Sequence, residues 1–284
     1  MSLDILNKPY LLFDGAMGSM LLQRGLKLGE HPEALNITNP DLIESIHKQY
    51  IDAGSHAVTT NTFGANEIRL KGCEYSVESL VRAGVKIARS AAKDKLVALD
   101  VGPTGEFMDP IGELTKDRAY KIFTDAILPG EDEGADLILM ETFSSLDEAE
   151  CAVLAAKKNT KLPVICTFTF EANGKTLVGH DVKSIVEAMQ KSGVDALGIN
   201  CSLGPKDMLP IVYEMLSLSE VPVMVQPNAG LPKIVDGKAI YAITPEEFAE
   251  YIVTMKKKGV KILGGCCGTT PDFIKAIKSS LSGL

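Results

Sequence analysis

Two adjacent cysteines set between glycines, Gly264-Gly265-Cys266-Cys267-Gly268, are hard to explain as packing and read as half of a metal site. Successive side chains on a strand point to opposite faces. Both sulfurs therefore reach one ion only where the strand ends and the backbone turns, which glycine permits. Thr269 and Thr270 follow as candidate N-caps, with Pro271 at the first helical position. That order places the sulfurs beside a helix N-terminus, where thiolate is favoured. The third ligand is Cys201, in Gly198-Ile199-Asn200-Cys201-Ser202. Three thiolates suit zinc, and three protein ligands rather than four leave a position open for substrate.

Residues so far apart need a scaffold, and the chain repeats one unit that supplies it. An apolar, β-branched run ends in polar or glycine residues, and a helical pattern closing at Gly follows. The candidate strands are Tyr10–Asp14, Ala57–Thr62, Leu96–Val101, Leu137–Thr142, Pro163–Phe168, Ala196–Cys201, Pro222–Pro227 and Lys261–Gly265. Helical patterns open with a cap and a Pro at Asn39-Pro40 and Thr244-Pro245, and helices end at Gly54, Gly134, Gly193 and Gly259. Eight strands alternating with helices predict an α/β fold, a single (β/α)8 TIM barrel occupying residues 1–284 as one domain.

Chemistry in such barrels sits at the C-terminal ends of the strands. In strand order those ends carry Asp14-Gly15, Asn61-Thr62-Phe63, Asp100, Glu141-Thr142, Thr167, Asn200-Cys201, Gln226-Pro227-Asn228 and Cys266-Cys267. The sixth and eighth ends lie on the order of 10 Å apart, a gap that one ion with sulfurs about 2.3 Å away can bridge. A soft, open metal position beside acidic residues fits a thiol substrate bearing an amino group. The sulfur binds zinc and loses its proton, while Asp14 and Glu141 hold the ammonium. The thiolate then attacks a methyl group in line without a general base, consistent with the lack of histidine at any predicted strand end. Plainer readings stand beside this one. A carboxylate at a strand end can cap the next helix, and the Cys pair can form a redox-active vicinal disulfide. Cys73, Cys151 and Cys166 read as small core hydrophobes, and His31, His47, His56 and His180 fall at loop, helix or strand-start positions. The glycines of Asp14–Gly18 fit neither phosphate-loop spacing.

Composition limits the partners. The 284 residues are 45% hydrophobic and 23% charged, with a net charge of −8 and no basic cluster interleaved with aromatics. Nucleic acid and anionic membranes are therefore poor partners, and a small molecule is expected. No apolar run reaches membrane-spanning length and no signal-peptide pattern opens the chain, so a cytoplasmic protein is expected. Its six cysteines then serve as thiols or ligands rather than disulfides.

The segments Asp14-Gly15-Ala16-Met17-Gly18, Asn61-Thr62-Phe63-Gly64-Ala65-Asn66, Gly198-Ile199-Asn200-Cys201, Gln226-Pro227-Asn228-Ala229-Gly230 and Gly264–Gly268 resemble the zinc-dependent homocysteine S-methyltransferases over essentially the whole chain. The resemblance runs closest to the homocysteine-binding N-terminal module of cobalamin-dependent methionine synthase. It implies a (β/α)8 barrel with zinc on Cys201, Cys266 and Cys267 and homocysteine as substrate. It further implies substrate-binding positions at Asp14 and Glu141, with Asn228 able to complete the zinc shell before homocysteine arrives; Gly15, Asn61, Thr62 and Asn228, at the same strand ends, are further candidate substrate-binding residues. The chain ends soon after the Cys pair, without an Asp-x-His-x-x-Gly cobalamin-ligand motif, so folate and cobalamin modules are expected to be absent. Methylcobalamin would then act only through a partner protein or module. S-methylmethionine or a betaine is the alternative donor, and a non-catalytic homocysteine-binding module the alternative function.

Overall fold

A computed structural model describes residues 8–27, 29–230, 233–235 and 238–282. Eight parallel strands form a nearly closed barrel: β1 (Leu11–Leu12), β2 (Ala57–Thr59), β3 (Leu96–Val101), β4 (Leu137–Phe143), β5 (Val164–Phe168), β6 (Ala196–Asn200), β7 (Val223–Gln226) and β10 (Ile262–Leu263). Their order is β1-β10-β7-β6-β5-β4-β3-β2. A short antiparallel hairpin, β8 (Lys233–Val235) and β9 (Lys238–Ile240), lies in the connection after β7 and is not anticipated by the sequence pattern. The helices are α1 (Met17–Gln23), α2 (Leu35–Thr38), α3 (Pro40–Asp52), α4 (Val77–Ala92), α5 (Lys116–Asp132), α6 (Leu146–Asn159), α7 (Val182–Ser192), α8 (Pro205–Leu218), α9 (Pro245–Lys257) and α10 (Pro271–Leu281). No helix among the described residues is long and apolar enough to cross a membrane.

Strands buried on both faces read as continuous apolar runs, and alternation assigns each residue to a side. Leu137 and Leu139 of β4 join Leu11, Phe13, Ala57, Ala98, Ile165, Ala196, Met224 and Ile262 in one cluster, the barrel interior. Ile138 and Met140 belong to the larger cluster shared with the helices. One inward step further along each strand the interior turns polar: Ala98 is followed by Asp100, Leu139 by Glu141, Ile165 by Thr167, Met224 by Gln226. Asn200 stands two steps beyond Ala196, past Gly198, where a Cβ would lie 2.1 Å from the Met224 carbonyl oxygen. A polar layer thus lies on an apolar one, and the site occupies that boundary.

The seam between β1 and β2 is closed largely by side chains. His56 donates its backbone N–H to the Leu12 carbonyl (2.6 Å) and accepts the Leu12 N–H on Nδ1 (3.2 Å). At the other end Thr59 donates its N–H and hydroxyl to the two oxygens of Asp14, each at 2.8 Å. Asp14 is therefore part of the barrel's closure as well as of its mouth.

Helix ends follow local chemistry. The Thr244 side chain caps α9 by accepting the Glu247 N–H. Gly54, Gly134, Gly193 and Gly259 adopt positive φ just ahead of the strands they precede, as the sequence suggests. Two expected caps differ. Asn39 and Thr270 occupy N-cap positions without a side-chain cap bond, and Thr269 instead turns its hydroxyl back onto the Cys266 carbonyl at 2.7 Å. It thereby braces the Cys pair's turn.

Candidate functional site

The β6–β7–β10 order brings the distant cysteines together. The sulfurs of Cys201, Cys266 and Cys267 all lie within 4.8 Å of one another, and Cys201 Sγ is 3.8 Å from Cys267 Sγ. A tetrahedral zinc with sulfurs at about 2.3 Å would set neighbouring sulfurs about 3.8 Å apart, so the donor set and its spacing fit zinc. The supporting turns hold one another. Cys201 N–H donates to the Gln226 carbonyl (3.0 Å), Cys266 N–H to the Pro227 carbonyl (2.8 Å) and Ala229 N–H to the Cys267 carbonyl (2.9 Å). Gly265 is required here, because a Cβ would lie 2.4 Å from Thr269 Oγ1. Crowding also divides the thiols electrically. Hydrogen bonds from Cys266 and Cys267 pull the Cys201 pKa down, and those two thiols are pushed up in consequence. Gathered sulfurs that cannot all ionise together are stabilised by a cation among them.

Asn200, fully buried, ties this cluster to the neighbouring strand ends. Its Oδ1 accepts the Thr142 N–H and the Thr167 hydroxyl, its Nδ2 donates to Thr142 Oγ1, each at 2.8 Å, and Nδ2 lies 3.9 Å from Cys266 Sγ. The backbone is bent at the same place: Thr142, Cys201 and Ser202 have φ of 66°, 60° and 57°. A β-branched residue in that region is strained by about 1–3 kcal/mol and persists only where its surroundings over-determine it. The Asn200 bonds to Thr142 do so here.

A cleft of about 490 Å³ opens over the sulfurs, and Asp14, Asp100, Glu141, Glu33 and Arg69 supply its charged walls. Burial pushes the Asp14 carboxyl up to about 7, despite the opposing Thr59 hydrogen bonds. Glu141 is pushed up to about 8, first by burial, then by the negative charge on Cys201 and on Asp14. Burial thus shifts both carboxyls toward the protonated form until a cation arrives. An ammonium is such a cation.

The remaining sequence-predicted residues divide. Gly15 lines the cleft where a Cβ would lie 2.7 Å from Thr269 Oγ1. Asn61 reaches its wall, with its amide donated to the Pro32 carbonyl and Asn36 Oδ1. Thr62 lies behind it, its hydroxyl donating to the Asp100 carbonyl at 2.8 Å. Asn228 lies close enough to Cys201 to favour its thiolate, and its buried Oδ1 has no partner among the described residues, an oxygen suited to a metal's remaining position. Sequence reasoning missed Thr59, Glu33, Arg69 and Tyr241. Glu33 sits on the cleft wall and accepts the Gly64 N–H at 2.7 Å. The Tyr241 ring packs where a Gly268 Cβ would lie 2.6 Å away. None of the four lies at a predicted strand end; Thr59 ends the observed β2, which stops three residues short of the predicted strand. Among the other cysteines, Cys151 and Cys166 are buried in the helix-facing core, as expected.

Residues 11–281 match the family described as homocysteine S-methyltransferase. The methionine synthases of Mycobacterium tuberculosis and Mycobacterium leprae are each 33% identical over 99% of this chain but only 25% of their own length. The chain thus spans about a quarter of the curated relatives it matches. Among solved structures, the metallated form of the Escherichia coli homocysteine methyltransferase MmuM superposes with a TM-score of 0.83 at 24% identity, covering 97% of this chain and 98% of that one. Its apo form gives 0.78 at 25% identity, with the same coverage.

Proposed function

The chain belongs to the homocysteine S-methyltransferase family; on that premise we propose that residues 1–284 act as one homocysteine-binding unit, a methyltransferase that methylates the homocysteine thiol to give methionine. The observation that carries this reading is the gathering of three sulfurs and several buried carboxyls around one cleft. Cys201, Cys266 and Cys267 would hold zinc, which when bound supplies the Lewis acidity that keeps an incoming thiol ionised at neutral pH.

The chain's own residues then position the amino acid. Asp14 and Glu141 take the ammonium, whose charge draws both carboxyls back into the ionised form. Gly15 lets the backbone approach, Asn61 fixes the adjoining wall and Asn228 steadies Cys201. In the transfer a sulfur–carbon bond forms as the donor's bond to methyl breaks, and the electron pair leaves with the donor. The thiol proton departs on binding, so no general base is needed. We assign the donor as a methylcorrinoid on a separate protein or module. In support, the chain matches only a quarter of the methionine synthases it resembles. The reaction would run in the cytoplasm, where thiols stay reduced.

Methionine formation from homocysteine, with a methylcorrinoid protein, S-methylmethionine and betaine supplied in turn, tests the donor. Calorimetry of homocysteine binding in buffers of different ionisation heat tests the site, since the reading requires proton release. Glu141→Gln should weaken homocysteine by about 1–3 kcal/mol and spare its deaminated analogue. Equal affinity of the unmodified protein for both thiols would overturn the ammonium site. Binding with no methionine from any donor would favour a pure binding module.

A further inference from the structure

We propose that Asp100 is a third carboxyl of the ammonium site, taking one N–H of the substrate ammonium beside Asp14 and Glu141. The inference rests on the homocysteine reading and goes beyond it in assigning a residue and a specificity role. Alternation along β3 turns Asp100 inward, one step above Ala98 of the barrel interior. It lines the cleft with Asp14 and Glu141, and the charges of Glu141, Asp14 and Glu33 all act on it.

Its backbone and side chain are treated oppositely. The Asp100 N–H donates to Thr60 Oγ1 (2.9 Å), the Thr60 and Thr62 hydroxyls meet at 2.6 Å, and Thr62 Oγ1 donates to the Asp100 carbonyl (2.8 Å). Because Thr60 Oγ1 accepts from Asp100 and Thr62 gives its proton to the carbonyl, the hydroxyl of Thr60 must donate to that of Thr62. The relay closes into a ring that fixes Asp100 in place. Asp100 is only 7% exposed, and its Oδ1 is buried with no hydrogen-bond partner among the described residues. A buried carboxyl without a partner is costly to the fold. Rigid support around an unsatisfied acid is the arrangement expected of a group whose partner is a ligand. An ammonium carries three N–H donors, and three carboxyls around one cleft give each an acceptor.

A structural rival exists nearby. The buried Asn66 Nδ2 also lacks a partner, and both residues line a void of about 10 Å³. That is about the smallest space that holds one water, which would join them and make Asp100 a fold residue.

Titration of zinc-loaded protein with homocysteine and with 4-sulfanylbutanoate, its deaminated analogue, separates the possibilities. D100N keeps the shape and removes the charge. It should weaken homocysteine about tenfold or more and change the analogue less than about twofold. Metal-free D100N should melt at or above the temperature of the unmodified protein, since an uncompensated buried acid has been removed. D100S, smaller and also neutral, should show the same ligand pattern if D100N misfolds. Equal losses for both thiols, no loss for either, or a lower melting temperature without discrimination would overturn the proposal and favour the water-bridged fold role. Should the unmodified protein itself fail to prefer homocysteine, the ammonium reading falls and Asp100 with it. Loss of Asp100's effect alone leaves that reading standing.

Discussion

Asn200→Ala removes the side chain that joins the sulfur cluster to the strand carrying Glu141. Three hydrogen bonds disappear, those with Thr142 N–H, Thr142 Oγ1 and the Thr167 hydroxyl. At about 1 kcal/mol each they amount to about 3 kcal/mol, and the fully buried Thr167 hydroxyl left unpaired adds about 1 kcal/mol or more. A loss of about 4 kcal/mol is a large part of the 5–15 kcal/mol that holds a typical domain. The metal should feel the change as well. With Thr142 freed from its strained conformation and Cys201 one residue away, the turns relax, and removal of such outer support typically costs about 10–100-fold in metal affinity. Urea unfolding of the metal-free protein measures the first effect, and zinc competition against a chromophoric chelator the second. The Thr167→Val variant deletes one of the bonds and should fall between, while Thr167→Ser should restore the unmodified behaviour. A stability loss below about 1 kcal/mol with unchanged zinc affinity would refute the view that Asn200 organises the site.

Cys266→Ala should abolish stoichiometric zinc by metal analysis yet leave the barrel's circular dichroism intact, because strands and helices carry the core. Cys151→Ala should keep its zinc and cost about 1 kcal/mol of packing in a denaturant titration. Asp14 sets a pH dependence with a definite sign. Its folded pKa of about 7 exceeds the ordinary 3.8, so the folded state binds the extra proton. The stability this contributes is fully present below about pH 4 and is lost as pH rises through about 7, at most about 4 kcal/mol in all. Asp14→Asn can keep both Thr59 contacts by accepting the N–H and donating to the hydroxyl, so urea midpoints between pH 5 and pH 8 should show a shallower decline. Gly265→Ala, whose Cβ would meet Thr269 Oγ1 at 2.4 Å, should lower the melting temperature and weaken zinc together.

The alternation of apolar runs with glycine-ended helical patterns determined the barrel, because strands buried on both faces and amphipathic helices satisfy their backbones in few other ways. Strand-end position then determined which cysteines could share an ion, since Cys201, Cys266 and Cys267 follow strand ends, whereas Cys151 and Cys166 belong to the core and Cys73, expected there too, lies half-buried in the turn before α4. What the sequence could not carry was every property created by residues distant along the chain. That Thr59 holds Asp14, that Asn200 pins Thr142, and that Thr60 and Thr62 fix Asp100 while leaving its carboxyl unpaired all depend on neighbouring strands in register. The local pattern extends β2 to Thr62 and places that residue at a strand end, but the strand stops at Thr59 and the turn beyond it sends the Thr62 hydroxyl into the wall. Glu33, Arg69 and Tyr241 reach the site from connections whose paths no local periodicity encodes. Local pattern decides which face a residue takes, but the raised carboxyls and divided thiols come from burying acids and thiols together at one barrel mouth, which only the closed barrel does.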